Sequence, residues 1–211
     1  MQHANTPFNY HNLFIYLLAF SSGFSIMGIE LLGGRILAPY FGSSVHIWGS
    51  IITVFMLALS IGYLTGGRLS MFKPDLFKYG AIFILSAISL VPTIYFSENV
   101  MGWVFDRIED PRYGSLTASL LLFLLPTVIM GMIAPYSVRL LTQSKDSAGQ
   151  TAGYLYFIST LGSAIGTIVT SFYLVLWLEI NQIFWLVFFI MFVAGLLSNL
   201  VAIGEKNESA N

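Results

Sequence analysis

The sequence has no cysteine and very little charge. The absence of cysteine excludes disulfide bonds, thiolate nucleophiles and cysteine-ligated metal sites, and with three histidines in the chain a histidine metal site is not expected either. Charged residues make up 9% of the chain and hydrophobic residues 56%, whereas about a quarter of an ordinary soluble domain is charged. Basic residues are too sparse for a nucleic-acid-binding surface. A lipid bilayer, rather than water, is therefore the expected surroundings.

Recognisable catalytic motifs are also missing. No phosphate-binding glycine loop, dinucleotide fingerprint or nucleophile elbow occurs between strand and helix patterns. A complete catalytic site cannot be assembled from the residues, so no catalytic residue, metal or cofactor is predicted. An enzyme is consequently less favoured than a transporter or a scaffold.

Long uncharged runs dominate what the sequence does contain. Each run is long enough to cross a bilayer as a helix, which takes about 20 apolar residues, and the runs lack the alternation of a membrane β-barrel. Met1–Asn12 has no Lys or Arg, so we interpret the first apolar run as a retained helix and not a signal peptide. We predict an all-α integral membrane protein with about six transmembrane helices. These are 13–37, 46–70, 76–97, 115–142, 150–178 and 182–203.

The few charges predict an orientation. Loops on one side of the predicted helices are basic and those on the other side are mainly acidic, so the positive-inside rule places both termini in the cytoplasm of a multi-pass protein of the cell (inner) membrane. The predicted parts are a cytoplasmic segment 1–12, a transmembrane domain 13–203 and a polar cytoplasmic tail 204–211. Ser97–Gly114, the longest loop, is either a short amphipathic helix on the outer surface or a solvated connector. The basic residues assigned to the cytoplasmic side are Arg68, Lys73, Lys78, Arg139, Lys145 and Lys206.

Two short patterns recur in the same order in both halves of the chain. Ala38-Pro39-Tyr40 matches Ala134-Pro135-Tyr136, and the helix that follows carries Gly62-x-x-x-Gly66 in the first half and Gly162-x-x-x-Gly166 in the second. The glycine pairs predict close helix packing. With three helices in each half, the second half would be inverted, as in secondary transporters, where interrupted helices point to the binding site. The prolines are therefore candidate helix breaks. The predicted repeats are 13–97 and 115–203.

Glu30 is the acidic residue most clearly surrounded by apolar sequence. An ionisable group inside a bilayer is costly unless it is paired or hydrated, so Glu30 is a functional candidate. It either holds a cation or takes part in proton coupling, or it forms a structural ion pair with Arg35 or another helix. Arg35 lies about 140° around a regular helix from Glu30, so the two would pair only if the intervening glycines unwound the helix.

Four further residues join Glu30 and Arg35 in the predicted substrate-binding or coupling set. His46 and Trp48 lie at the start of the second helix, where an indole ring favours the membrane interface. His46 either forms a hydrogen bond there or takes part in proton coupling. Ser159 and Thr160 begin a row of hydroxyls that either lines a hydrated path or bonds to the preceding turn of backbone.

Two stretches of the sequence resemble a known family. Gly28–Ile52, GIELLGGRILAPYFGSSVHIWGSII, resembles the start of the membrane domain of the fused transmembrane spermidine synthases. Gly153–Gly166 looks like that family's fifth helix, with Ser159 where the family usually has Asn. In the family, this domain precedes a cytoplasmic aminopropyltransferase domain that binds decarboxylated S-adenosylmethionine. The 211 residues do not include that domain, so the resemblance implies a separate aminopropyltransferase-like partner.

Three functional hypotheses follow. The first is a transporter-like or partner subunit beside a separate, polyamine-synthase-like cytoplasmic enzyme, moving a cationic small molecule that contacts Glu30. The second is a membrane scaffold without transport activity that recruits the synthase. The third, ranked below these, is a stand-alone membrane-embedded enzyme that acts at a cluster of Glu30, Arg35 and His46, where the Glu30 carboxylate and the His46 imidazole serve as acid and base. Six helices are half the size of a two-lobed transporter, which favours a homodimer in the first case.

Overall fold

The fold consists of six helices, each of which is long enough and apolar enough to span a membrane. The structure, a computed structural model, describes residues 10–142, 144 and 147–208, and every regular element within these residues is helical. The prediction of an all-α multi-pass membrane protein with six spans is confirmed. Residues 1–9 of the predicted N-terminal segment, the loop residue Lys145 and residues 209–211 lie outside the described part. The spans are α1 Tyr10–Phe41, α2 Val45–Leu69, α3 Leu76–Phe105, α4 Pro111–Leu141, α5 Ala148–Trp177 and α6 Ile180–Glu208.

Several helices continue past the ends expected from charge. α1 begins at Tyr10, α3 runs to Phe105 through half of the predicted outer loop, and α6 runs to Glu208 into the predicted tail. Glu98 on α3 and Glu205 on α6 are both exposed, so each carboxylate sits at the surface of a helix that continues beyond it. A charge therefore ends the apolar run without ending the helix.

Two of the spans are not regular throughout. α4 consists of Pro111–Gly131 and Ile133–Leu141, separated by a turn at Met132. Pro135 has no N–H to give to the carbonyl of Gly131, which removes one bond of the helical ladder at this turn. α5 is regular to Val169 and then contains a π-helical turn before its last residues. In contrast, α1 continues through Pro39 to its end at Phe41.

The helices pair in a regular way around two central members, α1 and α4. α5 packs along α1, α2 packs along α4, and α3 packs along α6; α1 also contacts α6, and α4 contacts α3. In the apolar window of α1, 50% of the residues are buried, against 17% in α5. The flanking helix α5 is thus mostly left to face the surrounding lipid. We name the two ends of the bundle after α1, as the Tyr10 end and the Phe41 end.

α2 and α4 touch backbone to backbone at the first glycine pair. A Cβ atom added to Gly66 would lie 2.5 Å from the carbonyl oxygen of Met132. Gly62 faces the carbonyl oxygen of Val128 and the backbone of Gly131 in the same way. Lipid tails give helices no hydrophobic reason to associate, so such close van der Waals contact is a main source of cohesion between them.

α1 and α5 form a matching contact at the second glycine pair. A Cβ atom on Gly166 would lie 2.5 Å from the carbonyl oxygen of Phe24, and Gly162 faces the backbone of Phe20. Gly23 on α1 meets the backbone of Ser159 across the same contact. The two glycine pairs therefore lie at helix contacts within the chain.

The short loop at the Phe41 end between α3 and α4 is organised by Asp110. Its carboxylate accepts hydrogen bonds from the guanidinium of Arg112, at 2.6 Å, and from the Arg112 backbone N–H, at 2.9 Å. The side-chain bond first, and then the backbone bond, lower the pKa of the Asp110 carboxyl from 3.8 to about 2. Asp110 thus caps the first turn of α4 in its ionised form.

We expect Asp110→Ala to destabilise the protein above about pH 4, since a carboxyl whose pKa is lowered on folding stabilises the fold only while ionised. The difference in stability between the variant and the wild type should decrease as the pH falls from about 4 towards 2. Thermal unfolding of the detergent-solubilised proteins over this pH range measures it. Asp106→Ala serves as the control, because the Asp106 side chain makes no hydrogen bond in the described structure. A difference that stays constant down to pH 2 would contradict the role of the ionised group.

Candidate functional site

A cavity of about 420 Å³ lies between α1, α2, α4 and α5. We call it the central cavity. Residues of both glycine contacts line it, including Gly23 and Gly131, and so does Pro135 beside the interruption in α4. The cavity exists because α2 and α5 each pack on a different central helix, which leaves a space between them.

Several hydroxyl groups in the central cavity have no hydrogen-bond partner within the described residues. Ser22 is only 4% exposed and lines the cavity, yet its hydroxyl makes no bond; the same is true of the hydroxyls of Ser159 and Thr160. Ser163 differs, since it donates to the carbonyl oxygen of Gly23 at 3.2 Å. A hydroxyl without a partner in apolar surroundings carries a free-energy penalty. A polar ligand in this cavity would remove that penalty.

Glu30 lies on the face of α1 that lines the central cavity, one turn nearer the Phe41 end. Gly23 and Met27 line the cavity, and Glu30 follows them by seven and three residues, spacings that share one helix face. The Glu30 side chain is partly buried and has no ion-pair or hydrogen-bond partner anywhere in the described part of the chain. Arg35 instead donates to the carbonyl oxygen of Val175 on α5, at 3.3 Å. The carboxylate is therefore available to a ligand.

Trp48 and His46 occupy different surroundings at the start of α2. The indole of Trp48 lies against Gly34, so close that a Cβ atom there would be 2.6 Å from the ring. Gly34 is four residues beyond Glu30 on the same face of α1, so Trp48 covers the end of the face that leads from the cavity past Glu30. His46 is exposed and near Asp110, whose pKa it also lowers.

A second hollow, of about 790 Å³, lies at the Tyr10 end of the bundle. It is larger than the central cavity, but its acidic groups already have partners. The Nδ1 atom of His11 lies 2.9 Å from the Glu205 carboxylate, and the Asp75 carboxylate accepts a bond from the backbone N–H of Lys78. We take the central cavity as the candidate site because, of these two hollows, it is the one with hydroxyl groups left without partners in the described residues.

Of the predicted site residues, the structure places Ser159 and Thr160 in the central cavity and Glu30 and Trp48 along the helix face that leads from it. Arg35 and His46 lie apart, at the Phe41 end.

Three polar residues that line the cavity were not predicted from the sequence: Ser22, Tyr63 and Tyr156. Ser22 had a usable signal in its position next to Gly23, and Tyr63 had one next to Gly62. Comparisons with models of known protein families, with curated proteins and with solved structures found no match. The geometry of the cavity therefore carries the functional proposal.

Proposed function

We propose that the protein is a small transporter-like membrane subunit that binds an organic cation in the central cavity. The observation that carries this proposal is the unpartnered carboxylate of Glu30 on the face of α1 that lines the cavity. An ionised carboxylate without a partner is costly at membrane depth, and a cationic ligand offsets that cost.

The other groups in the cavity suit an ammonium ion. The hydroxyls of Ser22, Ser159 and Thr160 can accept hydrogen bonds from an amine, which carries several N–H donors. Tyr63 and Tyr156 supply aromatic rings at the cavity, and a cation is attracted to the face of such a ring. An anionic ligand would find no basic side chain among the residues that line the cavity.

Transport also needs access from both sides in turn, and the pairing of the helices supports this. An inverted repeat relates α1 to α4, α2 to α5 and α3 to α6. The contact between α1 and α5 then corresponds to the contact between α4 and α2. In the same way, the contact between α1 and α6 corresponds to the contact between α4 and α3. All four contacts are present. We infer that 13–97 and 115–203 are inverted repeats that rock about the cavity between them.

The two kinds of repeat signal are not in the same register. Pro39 and Pro135 are 96 positions apart, whereas Phe24 and Met132, which face the second glycine of each pair, are 108 positions apart. The pairing of helices thus supports the repeat at the level of whole helices, and it does not support the residue register that the Ala-Pro-Tyr match gives.

The resemblance to the membrane domain of fused transmembrane spermidine synthases supports the same class of ligand, because aminopropyl transfer produces amines. We include a cytoplasmic aminopropyltransferase-like partner in the proposal for the same reason. In this arrangement the enzyme makes the amine and the membrane subunit moves it.

Proteoliposomes test the proposal directly. We expect the purified protein to take up a radiolabelled four-carbon diamine faster than protein-free liposomes do, with saturation, and with inhibition by unlabelled diamine but not by the four-carbon diol. Uptake that requires an added aminopropyltransferase-like protein would support the partner-subunit form. Binding of that enzyme without any uptake would overturn transport in favour of a scaffold.

A further inference from the structure

The central cavity opens through the side of the bundle, between α2 and α5. α2 packs on α4 and α5 packs on α1, so the flanking helices stand on either side of the opening. Tyr63 of α2 is 49% exposed and Tyr156 of α5 is 54% exposed, and both line the cavity. Thr160, also exposed, lies close to the middle of the 30-residue span α5. The opening therefore faces the hydrocarbon of the bilayer.

The surface of this opening has two chemically different parts. Ser22, Ser159 and Thr160 contribute hydroxyls without partners in the described chain. Leu59 and Ile133 contribute apolar wall. A fully hydrophilic ligand would leave the apolar wall without contacts, and a fully apolar one would leave the hydroxyls unsatisfied.

We propose that the central cavity receives its ligand sideways from the bilayer, and that the ligand is an amphipathic amine with one cationic head and one hydrocarbon tail. The inference rests on the proposed function and narrows its substrate class: a short diamine can occupy the polar part of the cavity, whereas an amine with a hydrocarbon tail also contacts the apolar wall. The head reaches the hydroxyls and the Glu30 face of α1, while the tail lies between Tyr63 and Tyr156 and continues into lipid. Such amines concentrate in membranes because transfer of their tails out of water is favourable. An opening towards the bilayer is therefore exposed to a higher concentration of the ligand than an opening towards water.

The absence of cysteine makes a spin-label test clean, since one introduced cysteine carries the only label. Thr160→Cys places the label in the cavity. Leu161→Cys is the matched control, because Leu161 is the next residue on α5, is 43% exposed and does not line the cavity. Both full-length variants are reconstituted into phosphatidylcholine liposomes. Collisions of the label with bilayer-soluble oxygen and with a water-soluble nickel chelate are measured first.

We expect oxygen to reach both labels more readily than the nickel chelate does. Decylamine should then slow the motion of the label at 160 roughly twofold, on the nanosecond timescale of side-chain motion, and leave the label at 161 unchanged. Decanol, with the same tail and no charge, should slow neither. If the variant at 160 does not yield folded protein, Tyr156→Cys carries the label at the edge of the same opening.

Three results would overturn the inference. Preferential collision with nickel, with slowing by a water-soluble diamine and not by decylamine, would show access from water and leave the proposed function standing. Protection of position 160 from oxygen without ligand, with dipolar coupling between labels on two molecules, would show that a second copy covers the opening. A label that responds to no amine, in a protein that still takes up the diamine, would place the binding site elsewhere.

Discussion

Glu30→Gln is expected to reduce uptake of the labelled diamine strongly while leaving a folded protein that detergent extracts as a single species. Glutamine keeps the size of the side chain but removes the negative charge on the face of α1 that lines the central cavity. Loss of one member of a buried ion pair costs about 3 kcal/mol or more, so the rate at low substrate concentration should fall about a hundredfold. Initial uptake rates in proteoliposomes, with the protein amount matched, measure the effect.

Two further variants test whether the effect is specific to the negative charge at position 30. Glu98→Gln removes an exposed carboxylate of α3 that has no partner among the described residues, and uptake should be unchanged. Glu30→Asp keeps the charge on a shorter side chain and should retain part of the activity. Full uptake by the Gln variant would remove Glu30 from the binding site, whereas a Gln variant that cannot be extracted intact would give Glu30 a structural role.

Gly66→Leu should destabilise the bundle strongly. Its Cβ atom would lie 2.5 Å from the Met132 carbonyl oxygen and 2.6 Å from the Met132 Cα atom, and backbone atoms cannot swing aside as a side chain can. α2 and α4 would have to separate, which forfeits van der Waals contact along their length. We expect a loss of about 3 kcal/mol, read as a lower temperature at which the monodisperse peak disappears in size-exclusion chromatography.

The neighbouring glycine provides the control for this substitution. A Cβ atom on Gly67 meets nothing within 4 Å, so Gly67→Leu should change stability by less than about 0.5 kcal/mol. The second helix contact offers the same comparison, with Gly166→Leu against Gly153→Leu, since Gly153 also has open space around it. Equal stability of Gly66→Leu and Gly67→Leu would contradict the close contact of α2 with α4.

The number of spans was predictable because a bilayer sets the length of each apolar segment. The helix ends were less predictable. Charges at Glu98 and Glu205 ended the apolar runs, but these side chains lie at exposed helix surfaces and the helices continue past them. Burial of a charge is decided by the neighbours of a helix, which the local sequence does not specify.

The candidate site was predictable only in part. Ser159, Thr160 and Glu30 were singled out because polar groups inside apolar runs stand out in a sequence. The hydrogen bond from Arg35 to the carbonyl oxygen of Val175 was not predictable, since it depends on where α5 ends relative to α1. Tyr156 was missed for the same reason, because this tyrosine is not unusual until α2 and α5 are placed beside one cavity.

The sequence by itself determined that this is a membrane protein of six helical spans, with glycine pairs suited to close contacts and one acidic residue deep in an apolar run. Only the tertiary structure decided that α2 packs on α4 and α5 on α1, which creates the central cavity and leaves its hydroxyls without partners. The physical reason is that the bilayer acts on each span separately through its length and polarity. Packing between spans depends on the fit of two surfaces that lie far apart in the chain.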